Sequence, residues 1–178
     1  MPSPAKKERN PRDIALLGIF VAYTLVISLI ERMIPLSFSI PGMRLGLANV
    51  VILMAMYLFP LSRALMLMVL KCLLTAIFAG SPTALLYSLG GSLASFAVMA
   101  GILRLLREHI SPVGVSVAGA ALHNIGQILV ACMLVKSWVM LLYLPTLLVI
   151  GIGTGAAIGI LVLHLRPTLE TYLRVRKD

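Results

Sequence analysis

Val139–Leu165 reads VMLLYLPTLLVIGIGTGAAIGILVLHL and contains no Asp, Glu, Lys or Arg. A helix of about 20 apolar residues crosses the roughly 30 Å hydrocarbon layer of a bilayer, so this run is long enough to span. It is continuously apolar rather than alternating, which selects a helix over a barrel strand. Working back towards the amino terminus, five further runs have the same character: Val113–Val135, Thr83–Leu103, Ala64–Ala79, Leu45–Phe59 and Ile14–Ile30. The sequence therefore predicts an all-α integral membrane protein of six transmembrane helices. One membrane domain over 14–165 is expected between a basic tail at 1–13 and another at 166–178.

Composition leads to the same class. Hydrophobic residues make up 60% of the 178-residue chain and charged residues 12%. Ordinary globular domains hold about 45–50% and about 25%. There are too few charges to clothe a water-exposed surface. The net charge of +9 would raise nucleic acid in a soluble protein. Here the basic residues sit at the chain ends and beside apolar runs, which points to anionic lipid headgroups and excludes a nucleic-acid partner. With the amino terminus inside, only Arg32, Arg44 and Lys136 fall in outer segments, and Lys71 lies within a helix. The bias puts both termini of a multi-pass cell-membrane protein in the cytoplasm. The polar start shows no cleavable leader. Cys72 and Cys132 lie inside apolar runs and read as small apolar side chains.

Several residues do not suit a passive bundle. Lys71 is midway along the third run, where a cation costs about 2.5–3.5 kcal/mol on insertion scales. It must face the bundle interior, a partner anion or a wet cavity, with Thr75 one turn further along its face. No acidic residue falls within a predicted span, so a bound solute could be the missing anion. The fifth run carries His123, Asn124 and Gln127, with Ser116, Gly119 and Ala120 extending the stripe. Such side chains either hydrogen-bond between helices or form a ligand site, and the small residues either allow close approach or leave room for a solute. Arg44 and Asn49 open the second helix and Tyr87 lies in the outer part of the fourth. Glu31–Met43, with Pro35, Pro41 and Gly42, is long enough to cover the outer mouth. Gly151, Gly153, Gly155 and Gly159 predict close packing of the sixth helix. Ala15, Gly18 and Ala22 make a small-residue surface on the first.

Other chemistries are not supported. There is no phosphate loop, and the two aspartates, Asp13 and Asp178, are near the ends. No metal cluster, paired carboxylates or Ser–His–acid arrangement can be assembled. Neither an enzyme nor a cofactor is expected.

The segment Ile40-Pro41-Gly42-Met43-Arg44-Leu45-Gly46-Leu47-Ala48-Asn49, with Ala121-Leu122-His123-Asn124-Ile125-Gly126-Gln127, resembles a bacterial membrane family. That family is labelled heptaprenyl diphosphate synthase component I or Gx transporter. It is similar in turn to the S components of energy-coupling-factor transporters, small six-helix subunits that bind a vitamin-like solute beneath an outer loop. The resemblance implies an S-component-like bundle partnered by a transmembrane T protein and cytoplasmic ATPases. The Ala15, Gly18 and Ala22 face would meet the T protein, with Gly18-xxx-Ala22 where S components commonly carry Ala-xxx-Ala. Arg44, Lys71 and His123 would neutralise or hydrogen-bond a small polar or anionic solute, and Asn49, Tyr87, Asn124 and Gln127 would orient it. The alternative is a non-catalytic accessory of isoprenoid or quinone synthesis, since the aspartate-rich motifs of prenyl synthases are missing. A flavin nucleotide is another cargo suggested by family context.

Overall fold

The structure, a computed structural model, describes residues 11–33, 46–106 and 109–175. Among them the chain is helical, without strands. In order come α1 (Pro11–Met33), α2 (Asn49–Leu58), α3 (Leu61–Ala79), α4 (Pro82–Leu106), α5 (Pro112–Val135), a 3-10 turn (Trp138–Tyr143) and α6 (Leu144–Val175). Four segments are long and apolar enough to cross a membrane: α3, α4, α5, and the 3-10 turn with α6. The apolar part of α1 is shorter, Ala15–Glu31. The predicted second span condenses to α2, whose 10 residues extend only about 15 Å. Six helices are present, but α2 is too short to cross on its own.

Helix limits follow from local chemistry. Pro60 has no N–H and an extended backbone, so it stops α2 and caps the start of α3. Gly80, at φ +61°, ends α3 in the left-handed conformation. Ser111 caps α5, its Oγ accepting from the Gly114 N–H at 3.3 Å, with Pro112 in the first turn. Two boundaries differ from expectation. α1 starts at Pro11, inside the predicted tail, and α6 runs on through Pro167 to Val175, where a basic tail was expected. Pro167 is exposed. There, loss of one backbone hydrogen bond does not strand a carbonyl in a dry core.

α5 is sandwiched between α4 and α6, its two most extensive partners, while α2 touches α1, α3, α4 and α6. α2 is the plug of the bundle: Asn49 and every residue from Val51 to Met56 are buried. The outward faces carry large apolar side chains, among them Ile19, Val26, Leu73, Phe78, Met133 and Val149. In water this belt would be an aggregation surface; in lipid it is the outer coat. Four long apolar helices with such a coat describe a multi-pass membrane protein.

The α5–α6 seam is made by absent side chains. A Cβ on Gly159 would stand 2.4 Å from Val113 Cα, and one on Gly155 would stand 3.0 Å from Val117 Cα. These glycines let the two backbones touch, as predicted. Gly153 has nothing within 4 Å and takes no part. Gly119 and Ala120 resolve the same way. Gly119 abuts Met99 and Ser95, and Ala120 abuts Gly155, so that stripe is filled by neighbouring helices.

Candidate functional site

Five helices meet at one buried polar locus. Its hub is Asn49, the first residue of α2. Lys71, the middle of α3 and 4% exposed, donates from Nζ to Asn49 Oδ1 at 3.1 Å. Asn49 Nδ2 lies 3.4 Å from His123 Nδ1 on α5, long for a hydrogen bond. The other ring nitrogen, His123 Nε2, is 3.0 Å from the amide of Gln127 one turn on. All four side chains are buried. α4 contributes an absence. A Cβ on Gly91 would meet Gln127 Cγ at 2.7 Å and His123 Cε1 at 2.9 Å, so Gly91 gives the pair its space.

The ammonium of Lys71 dictates the polarity of this relay. It can only donate, so Asn49 must turn Oδ1 towards it and Nδ2 towards the imidazole. That places Asn49 Nδ2 against His123 Nδ1, where the roles of the two ring nitrogens are set by the tautomer.

The fifth helix is α1, and it brings a residue the sequence reading missed. Glu31 is in the last turn of α1, 3% exposed, and its Oε1 accepts from the Gly46 N–H. The expectation that no acidic side chain lies within the helices is corrected: α1 runs past Ile30 to Met33 and carries Glu31 inward. Gly46 is itself part of the site. It has φ +80°, and a Cβ there would stand 3.0 Å from Asn49 Nδ2 and 3.3 Å from His123 Cδ2. Its conformation and its closeness to the imidazole both require glycine. The sequence signal was available: Thr24, Ser28 and Glu31 are spaced to share one face of α1, and all three are buried.

The remaining predicted residues fall elsewhere. Asn124 turns away from His123 and donates from Nδ2 to Leu147 O of α6 at 2.6 Å, through the space Gly151 leaves. Its role is to join α5 to α6. Tyr87 is buried on α4 one turn before Gly91, on the same face. Thr75 is fully buried and donates back to the Lys71 carbonyl. Arg44 and the covering segment lie outside the described residues, apart from Glu31 and the helical residues up to Met33. Ala15, Gly18 and Ala22 share an exposed face of α1, with nothing within 4 Å of Gly18. The hydroxyls of Ser28, Ser92 and Ser95 are buried without a hydrogen-bond partner among the described residues. They lie on α1 and α4, the helices that bring Glu31 and Gly91, and add spare polar capacity there. Among the described residues no group of His, Cys, Asp and Glu is placed to hold a metal ion.

The two segments that carried the family resemblance thus touch each other, Gly46 and Asn49 from the first against His123 from the second. The model of the family described as heptaprenyl diphosphate synthase component I matches residues 20–165. The chain belongs to that family. No curated protein and no solved structure matches it. The match takes in every member of the polar locus.

Proposed function

We propose that this chain is a non-catalytic membrane subunit that binds a small polar solute at the Lys71–Asn49–His123–Gln127 locus, as the substrate-binding component of a transporter. The observation that carries the reading is the buried Lys71 ammonium in a relay drawn from separate helices. Charges at membrane depth are costly and mark solute pathways, whereas a purely structural tie would need only one neutral pair. A solute with an acceptor group would take the Lys71 donor from Asn49. The Asn49 amide freed in that exchange would offer its Oδ1 as an acceptor. Glu31 adds a carboxylate beside the relay, so a solute with both an acceptor and a donor or cationic group suits it better than a simple anion.

The chain carries no nucleotide-hydrolysing motif, so energy for movement must come from partners. The exposed Ala15, Gly18 and Ala22 face of α1 has room for a closely packed helix of a T-type membrane protein, itself coupled to cytoplasmic ATPases. The setting on this reading is a bacterial cell membrane with both termini inside.

The family's description favours a second reading, an accessory subunit that keeps a prenyl diphosphate synthase at the bilayer. One experiment separates them: affinity purification of the chain from its native membrane, with mass spectrometry of retained proteins and small molecules. A membrane T protein, ATPases and a polar solute support the transporter. A soluble aspartate-rich synthase with no polar solute would overturn it in favour of the accessory role.

A further inference from the structure

At the end of the bundle where α2 stops and α3 starts, away from the polar locus in sequence and along α3, a cleft of about 460 Å³ opens. Its walls combine apolar side chains, including Met56, Phe59, Leu61 and Leu103, with Tyr57 and Arg104. Arg104 is in the last turn of α4 and is exposed. Arg166 of α6 stacks its guanidinium 4.3 Å from the centre of the Tyr57 ring. Arg166 spends only Nε on Glu170, at 2.7 Å. Among the described residues its terminal nitrogens and the whole Arg104 guanidinium have no acceptor.

We propose that this cleft seats an anionic phospholipid, with its phosphate on Arg104 and Arg166 and the upper part of its acyl chain on the apolar wall. Three observations converge on that occupant. The cleft lies where apolar helices end, which is headgroup depth. Its lining is amphiphilic in the same order as a lipid, apolar beneath and cationic at the rim. Arg104 belongs to the lining and Arg166, from another helix, stands on the lining residue Tyr57; both retain paired N–H donors that suit phosphate oxygens. Basic pockets between helices are the usual seats of such headgroups. The stack on Tyr57 holds Arg166 in place without consuming its terminal donors.

The test is native mass spectrometry of the full chain released from mixed micelles. Phosphatidylglycerol and phosphatidylcholine of identical acyl chains would be offered in equal amount. Retention of the anionic lipid is expected to exceed that of the zwitterionic one by about tenfold, in line with the attraction of basic residues for anionic lipid. Arg104→Gln, an exposed change that leaves the core intact, should lose most of that preference, and Arg104→Lys should keep part of it. Equal retention of both lipids, or an undiminished preference in Arg104→Gln, would overturn the proposal. So would displacement of the lipid by millimolar inorganic phosphate, which would show a soluble-anion site. Selective retention of farnesyl diphosphate over phosphatidylglycerol would overturn the phospholipid assignment as well.

Discussion

Replacing Lys71 by Met should leave a folded protein that no longer holds its solute. Met keeps the length and flexibility of the stem and removes the charge. Two terms act on stability. Removing a cation from mid-helix relieves about 2.5–3.5 kcal/mol of insertion cost. Taking Lys71 Nζ from its 3.1 Å contact with Asn49 Oδ1 leaves a buried acceptor without that donor, at about 1–3 kcal/mol. The two nearly cancel, so the melting temperature in detergent should move by only a few degrees, at roughly 2–4 °C per kcal/mol for a chain this size. Binding has no such cancellation. A hydrogen bond to a charged group contributes about 1.5–3 kcal/mol, so affinity should fall roughly ten- to hundredfold. The assay pairs thermal unfolding with quantitative mass spectrometry of small molecules retained by wild type and variant. A variant with an unchanged melting temperature and wild-type solute content would remove Lys71 from the site.

Other substitutions probe neighbouring parts of the account. Gly91→Ala would drive a methyl group to 2.7 Å from Gln127 Cγ and 2.9 Å from the His123 carbonyl; overpacking of this kind costs about 1–3 kcal/mol, read as a melting temperature lowered by several degrees together with reduced solute retention. Asn124→Ala should lower stability by about 1 kcal/mol through the lost bond to Leu147 O, while solute retention by the folded fraction stays at the wild-type level. Gly159→Ala would place a methyl group 2.4 Å from the Val113 backbone and should loosen the α5–α6 seam, seen as faster proteolysis or amide exchange at the start of α5. Glu31→Gln keeps the shape and one acceptor for the Gly46 N–H, so it should preserve folding in thermal unfolding but shift retention towards more anionic solutes.

The membrane architecture was legible because its signals are local. Uninterrupted apolar runs act within a few residues of themselves, and most helix limits fell close to where the runs end. The Gly151–Gly155–Gly159 stripe was legible because a four-residue spacing already names a face. What the sequence withheld was which faces meet. His123 and Asn124 are adjacent in the chain but about 100° apart around α5, so one joins Asn49 and the other reaches α6. Glu31 was read as loop because it neighbours Arg32. The helix continues past both because Pro35, which restricts the residue before it, comes only beyond Met33. α2 shortened for a reason invisible in hydropathy: Gly46 at φ +80° breaks the helix where the apolar run does not.

The most direct test is an experimental structure of the protein purified with the solute it retains. Solute density is expected within hydrogen-bond distance of Lys71 Nζ and of the Asn49 or Gln127 amide, with the Lys71–Asn49 contact opened to admit it. Density bound elsewhere, over a relay that remains closed among its own side chains, would contradict the proposed function.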